Sequence, residues 1–316
     1  MRFDRIAVNK PWAGSRLRKL FPELASALPA GTGETIELAD MPGQQTVLAH
    51  GQHRGLTLTE LLKLDHVAIL GDVGDGLETF PLAVKLLDTS DTLSIQNHPS
   101  DVWDGEKLVS RGKSECWLIL DAGPEAFIYQ GLKAGISLAG FQKAIAAGNP
   151  ETLLNKRTVK RGDFVNNPAG LIHAIGPDVA LLEIQQNCPT TYRLFDFPRE
   201  GGPRELHLEQ ALKAVKDWPL PEIVSTEAAD IDLLKEGPFK VRSLRLNSPQ
   251  VLNKNWSGFT ILTLVAGEME ITCRAADNLH PIVLKEADTI LIPAAFDMFE
   301  LVPKSDCWLV ISSSRK

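Results

Sequence analysis

The sequence predicts a mainly β protein, built as two β-barrels on one plan with a helical insert in the first. Three observations predict it. Short apolar-rich runs separated by Gly, Pro and Asp turns fill most of the chain, the spacing expected of a sandwich or barrel. A block of the second half repeats a block of the first in the same order. Helical periodicity is confined to a few short stretches.

In chain order, the first strand series is expected at 46–49, 83–87, 92–97, 115–121, 126–129, 163–166 and 180–185. The second falls at 240–246, 260–265, 268–273, 289–292 and 307–312. Helices are expected at 57–64 behind a Thr cap, at 137–147 (SLAGFQKAIAA) with Ser137 as N-cap, and at 206–215. The domain organisation that follows is a first barrel over 1–217 with the insert at 137–156. A linker at 218–237, rich in proline and acids, leads to a second barrel over 238–316 without a metal site.

The repeat carries that division. VKRGDFVNNPAGLIHAI (159–175) aligns without gaps on the segment that starts at Leu284, placing Asp163 on Asp288, Pro168 on Pro293 and Ala169 on Ala294. Upstream, Gly123 falls on Gly267. In this alignment Lys113 lies opposite Ser257, Glu115 opposite Phe259 and His173 opposite Met298. Turn residues survive in both copies while polar residues survive in one. One working site is therefore expected, in the first barrel, and a structural role for the second.

Gln96 and His98 are two apart on a strand and share a face. Lys113 and Glu115 make a second such pair, and His173 follows the Pro168–Gly170 turn. A barrel can aim these segments at one interior point. Imidazole nitrogens with carboxylate and amide oxygens suit one divalent ion, zinc or another first-row metal; the absence of thiolate disfavours a purely structural zinc. His50, His53, His66, His207 and His280 lack comparable company and are read as surface residues.

A formal charge of −7 and a pI near 5.6 argue against a nucleic-acid-binding surface. No segment approaches the ~18 apolar residues that span a bilayer, and the N-terminus has no signal-peptide pattern. Four scattered cysteines without a CxxC pair read as reduced thiols, so a cytoplasmic protein is expected.

The chain resembles the short bacterial form of the type I phosphomannose isomerases, within the cupin superfamily. The resemblance is carried by FPLAVKLLDTSDTLSIQNHPSD (80–101), GKSECWLIL (112–120), GDFVNNPAGLIHAIG (162–176), LLEIQQNCPTTYRLFDFPR (181–199) and RELHLEQAL (204–212), in family order. It implies cupin-like jelly-roll barrels and a zinc enzyme that interconverts mannose 6-phosphate and fructose 6-phosphate, with a small sugar phosphate as partner. The family's metal positions match Gln96, His98, Glu115 and His173. Lys113 and Arg193 match positions that face substrate, and Ser94 and Glu183 line the same pocket.

The residue types suit the chemistry. A cation stabilises the charge of an enediolate, and Arg193 offers a planar fork for anionic oxygens. Lys113 is expected to have a lowered pKa and to shuttle protons. Glu183, an acid on an apolar strand, is expected to carry a proton or accept sugar hydroxyls. The chain departs from the family at Pro189, where Asp is usual, at Asn97 for Val, at Leu171 for Thr and at Ile36 for Trp. Asp196 lies a few residues beyond Pro189.

Overall fold

The computed structural model describes all residues except 72–77, 200–201, 203, 227–229, 255–257, 274–280 and 315–316, so His280 and Ser257 lie outside the described residues. The chain forms two compact units. One comprises Ala7–Thr35 and Val84–Val224; the other comprises Met1–Ile6, Ile36–Ala83 and Ser225–Lys316.

The first copy of the repeat supplies β1 (Leu82–Thr89), β2 (Ile95–Asn97), β3 (Glu115–Ala122), β4 (Phe127–Leu132), β5 (Leu154–Thr158), β6 (Asp163–Asn167), β7 (His173–Ile175) and β8 (Val179–Gln186). The second supplies β9 (Phe239–Leu246), β10 (Gln250–Asn253), β11 (Thr260–Ala266), β12 (Met269–Cys273), β13 (Ile282–Leu284), β14 (Thr289–Ile292), β15 (Met298–Pro303) and β16 (Cys307–Ser314). Strand order is β1-β8-β3-β6 and β5-β4-β7-β2 in the first copy, and β9-β16-β11-β14 and β13-β12-β15-β10 in the second. The two copies thus share one eight-strand, two-sheet plan, the jelly-roll arrangement of cupins.

Alternation along the strands decides what lies between the sheets. In the first copy Trp117, Ile119, Val165 and Leu181 from one sheet meet Ile128 and Ile175 from the other. In the second, Leu262, Leu264, Ile290 and Leu309 meet Ile271, Phe299 and Leu301. Each such side chain contributes about 1.5–3 kcal/mol by leaving water. Three of the helices are α1 (Leu58–Leu64), α2 (Leu138–Ala146) and α3 (Leu208–Ala214). Thr57 caps α1 through a reciprocal box with Glu60, and Ser137 Oγ accepts from Gly140 N at 3.1 Å to cap α2. Phe141 of α2 packs on Tyr129, Leu154 and Ile172, covering the outer face of the β4 sheet. Among the described residues no helix is long and apolar enough to cross a membrane.

Local differences have physical causes. At 46–49 there is no strand, only isolated bridges, because Thr46 Oγ1 bonds to both backbone groups of Ala39 and closes a turn. The end of the segment expected to be helical is β5, which pairs with β4 through Leu132↔Leu154. Within 218–237, Asp230–Leu234 is a strand paired with β9. The pairing registers also correct the repeat alignment. The β3–β8 and β11–β16 ladders each contain a bulge that passes over one residue, Leu120 or Val265. Superposing the bulges puts Thr260, not Phe259, opposite Glu115. By the same reasoning His173↔Gln96 matches the inward pair Phe299↔Leu252, so Phe299 and not Met298 replaces His173.

Candidate metal centre

Sequence-adjacent features bring the ligands together. His98 follows β2, and the chain then leaves in a hairpin (Val102–Asp104 with Lys107–Ser110) before returning into β3. The two ends of this excursion are clamped by Lys113 N donating to Pro99 O at 2.9 Å and Gly112 N donating to Asp101 Oδ1 at 2.6 Å. A Cβ on Gly112 would sit 2.5 Å from the Asp101 nitrogen, so only glycine fits the clamp. His173 opens β7 directly opposite Gln96. The turn before it passes through Gly170 at φ +87°, whose N–H donates to His98 O at 3.0 Å.

The result is a buried centre. His98 Nε2 lies 3.2 Å from Glu115 Oε2 and His173 Nε2 lies 3.2 Å from Glu115 Oε1, with every side chain about 1% exposed. Each imidazole places Nδ1 against a carbonyl, Thr190 O at 3.1 Å and Leu171 O at 2.9 Å. Those contacts assign the N–H to Nδ1 and leave a lone pair on Nε2. Both carboxylate oxygens and His173 Nε2 lack a hydrogen bond of acceptable geometry. Four lone-pair atoms therefore face one another in a buried interior, where the Lys113 ammonium reaches Glu115 Oε2 and His98 Nε2 and a metal cation would offset the repulsion among the rest. The ligand atoms of His98, Glu115 and His173 lie within 4.8 Å of one another and can hold a metal ion.

Protonation states agree. Burial, then the charge of Lys113, pulls His98 down to about 3, so the imidazole is in its ligand form. Burial acts to raise the Glu115 carboxyl, but the neighbouring groups, the Lys113 ammonium foremost, outweigh it and hold the group well below the usual carboxylate range.

Of the other candidates, Lys113 joins the centre directly. Its Nζ is 3.0 Å from Glu115 Oε2 and 3.3 Å from His98 Nε2. The lowered pKa expected for it is not what the protein's own groups produce: burial acts downward, but Glu115 and Glu183 outweigh it and raise the ammonium. Gln96 is opposite His173 and also opposite Arg193, and its Oε1 accepts from Ser94 Oγ at 3.0 Å. Glu183 sits on β8 on the face that carries Glu115, and its Oε2 accepts from Trp117 Nε1 at 3.1 Å. Burial, then the charge of Glu115, raises its pKa. Arg193 is half-buried, and its Nε has no hydrogen-bond partner. Asp196 is held by Arg199 at 3.1 Å and Arg204 at 2.7 Å, so it is a structural anion and not a substitute for an acid at Pro189. Asn97 donates from Nδ2 to Ala211 O at 2.9 Å, tying β2 to α3. His207 is half-buried and accepts from Arg193 N through Nδ1 at 3.3 Å.

Several contributors were not singled out from sequence. Trp117 braces Glu183 and meets the His173 ring edge-on at 5.4 Å; its place two residues after Glu115 was the available signal. Gln130 donates to Asn167 Oδ1 at 2.9 Å, both fully buried. Glu34, with Lys85 and Lys10 each at 3.0 Å, forms a buried ion triad whose partners are far apart in sequence.

No protein-family model matches the chain. Curated relatives do. Mannose-6-phosphate isomerase of Streptococcus mutans serotype c is 32% identical over 293 residues, covering 90% of this chain and 89% of the relative. Mannose-6-phosphate isomerase ManA of Bacillus subtilis is 31% identical over 317 residues, covering 96% of each. Among solved structures, the crystal structure of the mannose 6-phosphate isomerase from Bacillus subtilis matches with a TM-score of 0.81 at 29% identity, covering 98% of both chains. A variant of phosphomannose isomerase from Salmonella typhimurium matches with a TM-score of 0.75 at 15% identity, a likeness of fold alone.

Proposed function

The chain belongs to the mannose-6-phosphate isomerase family, and from that premise we propose that it interconverts mannose 6-phosphate and fructose 6-phosphate through an enediol(ate). The observation that carries this reading is the convergence of the His98 and His173 Nε2 atoms on the two oxygens of Glu115 at 3.2 Å. These three residues, with the Gln96 amide oxygen as fourth donor, would hold the ion. Two imidazoles, a carboxylate and an amide without thiolate favour zinc. When bound, such an ion stabilises negative charge developing on the substrate oxygens.

The protein's own groups supply the rest. Aldose–ketose exchange removes a proton from C2 and returns one to C1, while a hydroxyl proton passes between O1 and O2. Glu183 is assigned the carbon-bound proton: it shares the Glu115 face, its orientation is fixed by Trp117, and it is buried. Lys113, a raised ammonium, donates hydrogen bonds to the enediolate oxygens. Arg193 pairs with an anionic oxygen of the substrate, and Ser94 orients Gln96. Pro189 is exposed and aprotic, and Thr190 after it orients His98, so that segment is given a positioning role. Four free cysteines support a cytoplasmic location.

The test is an assay coupled to fructose 6-phosphate, run on purified protein with added zinc. Product should form from mannose 6-phosphate well above the protein-free rate; a rate equal to that background ends the proposal.

A further inference from the structure

The second copy of the repeat does not close where the metal centre is lost. A cavity of about 840 Å³ opens there, lined wholly by residues of Ser225–Lys316. That volume is within the range of small-molecule sites. Pairing registers show where it lies. Along β9 and β16 the pair Leu244↔Leu309 is in the core, so the next inward pairs are Arg242↔Ile311 and Lys240↔Ser313. Ile311 takes the place of Glu183, and Leu252 that of Gln96. The cavity is thus the second copy's counterpart of the metal centre, with an apolar floor where the ligands would be.

We propose that this cavity is a metal-free binding site for a small phosphorylated carbohydrate. Leu252 and Ile311 offer a surface for the apolar face of a sugar ring. Asn253, Ser313 and Asp232 offer donors and acceptors for hydroxyls. Arg242 is already paired, its Nε donating to Asp230 Oδ1 at 2.6 Å. Lys235 and Lys240 are exposed at the rim, and neither makes an ion pair or hydrogen bond among the described residues. Two uncommitted ammonium groups beside an apolar floor match a molecule with a phosphate at one end and a sugar ring at the other. The structural role expected for this barrel does not account for a charged, open interior.

The experiment is equilibrium dialysis of the metal-loaded full chain against radiolabelled fructose 6-phosphate, comparing wild type with the K235A/K240A variant. These rim positions are solvent-exposed and their replacement leaves the core untouched. Wild type should bind two molecules per chain. The variant should bind the second at least about tenfold more weakly, with isomerase turnover unchanged. Fructose and inorganic phosphate should each compete poorly for the second site. One molecule per wild-type chain, retained by the variant, overturns the proposal, and so does a second molecule whose affinity the variant does not change. A single molecule lost in the variant would support the cavity and count against the metal centre as the sugar-phosphate site.

Discussion

Replacing Glu34 by Gln isolates one buried ion triad. Glu34 Oε1 is 3.0 Å from Lys85 Nζ and Oε2 is 3.0 Å from Lys10 Nζ, with the carboxylate side chain only 7% exposed. Burial alone would raise this carboxyl, but the two ammonium groups outweigh it and bring it from 4.5 to about 2. At about 1.4 kcal/mol per pKa unit, the depression is worth about 3 kcal/mol of stability at neutral pH. The sign follows from proton binding. The unfolded chain takes up the proton near 4.5 and the folded chain only near 2, so the contribution is complete above 4.5 and disappears as pH falls through that window. By pH 3.5 about 1.4 kcal/mol of it should be gone. Urea unfolding of wild type and E34Q at pH 7, 5 and 3.5 measures this directly. The gap between the two should be about 3 kcal/mol at pH 7 and smaller at pH 3.5. A gap that stays constant across the range would refute the reasoning.

Other perturbations separate catalysis from stability. W117F removes the 3.1 Å hydrogen bond to Glu183, and kcat should fall about tenfold for a lost bond of about 1.4 kcal/mol; unchanged kcat would remove Trp117 as a positioning residue. N97V removes the Asn97 hydrogen bond to Ala211 O, which still accepts from Val215 N, and should cost about 1 kcal/mol in urea unfolding with turnover intact, whereas lost turnover at full stability would contradict the anchoring role. K113M strips the buried Glu115 carboxylate of its ammonium neighbour, so it should cost about 3–5 kcal/mol in chelator-treated protein. With metal present the cost should be smaller, because a bound cation also faces Glu115. Equal costs in both conditions would argue against an ion at that carboxylate.

Legibility in the sequence followed locality. The long strands β3, β8, β9 and β16 were readable because their alternation or apolar content is continuous, and the caps of α1 and α2 because Thr57 and Ser137 act within one turn. β7 escaped notice because it has three residues, and β5 because it ends a segment that begins as a helix. Thr32–Leu38 is buried throughout yet contains Glu34 and Glu37, whose partners Lys10, Lys85 and Arg5 lie well away in the sequence. The metal triad was visible as same-face pairs at 96/98 and 113/115. Its comparison with the second copy slipped by one residue because Gly123 lies three residues beyond the bulge at Leu120, whereas Gly267 lies two beyond the bulge at Val265. The correction preserves the argument, since Thr260 lacks the carboxylate of Glu115 and Phe299 lacks the imidazole of His173.

Metal content measured alongside isomerase activity, for wild type and for H98A and E115A, bears on the central claim most directly. Wild type should carry one divalent ion per chain and lose activity when a chelator removes it, while both variants should carry almost none and be inactive. Full activity of metal-stripped wild type, or a stoichiometric ion retained when His98 and Glu115 are each replaced, would contradict the account.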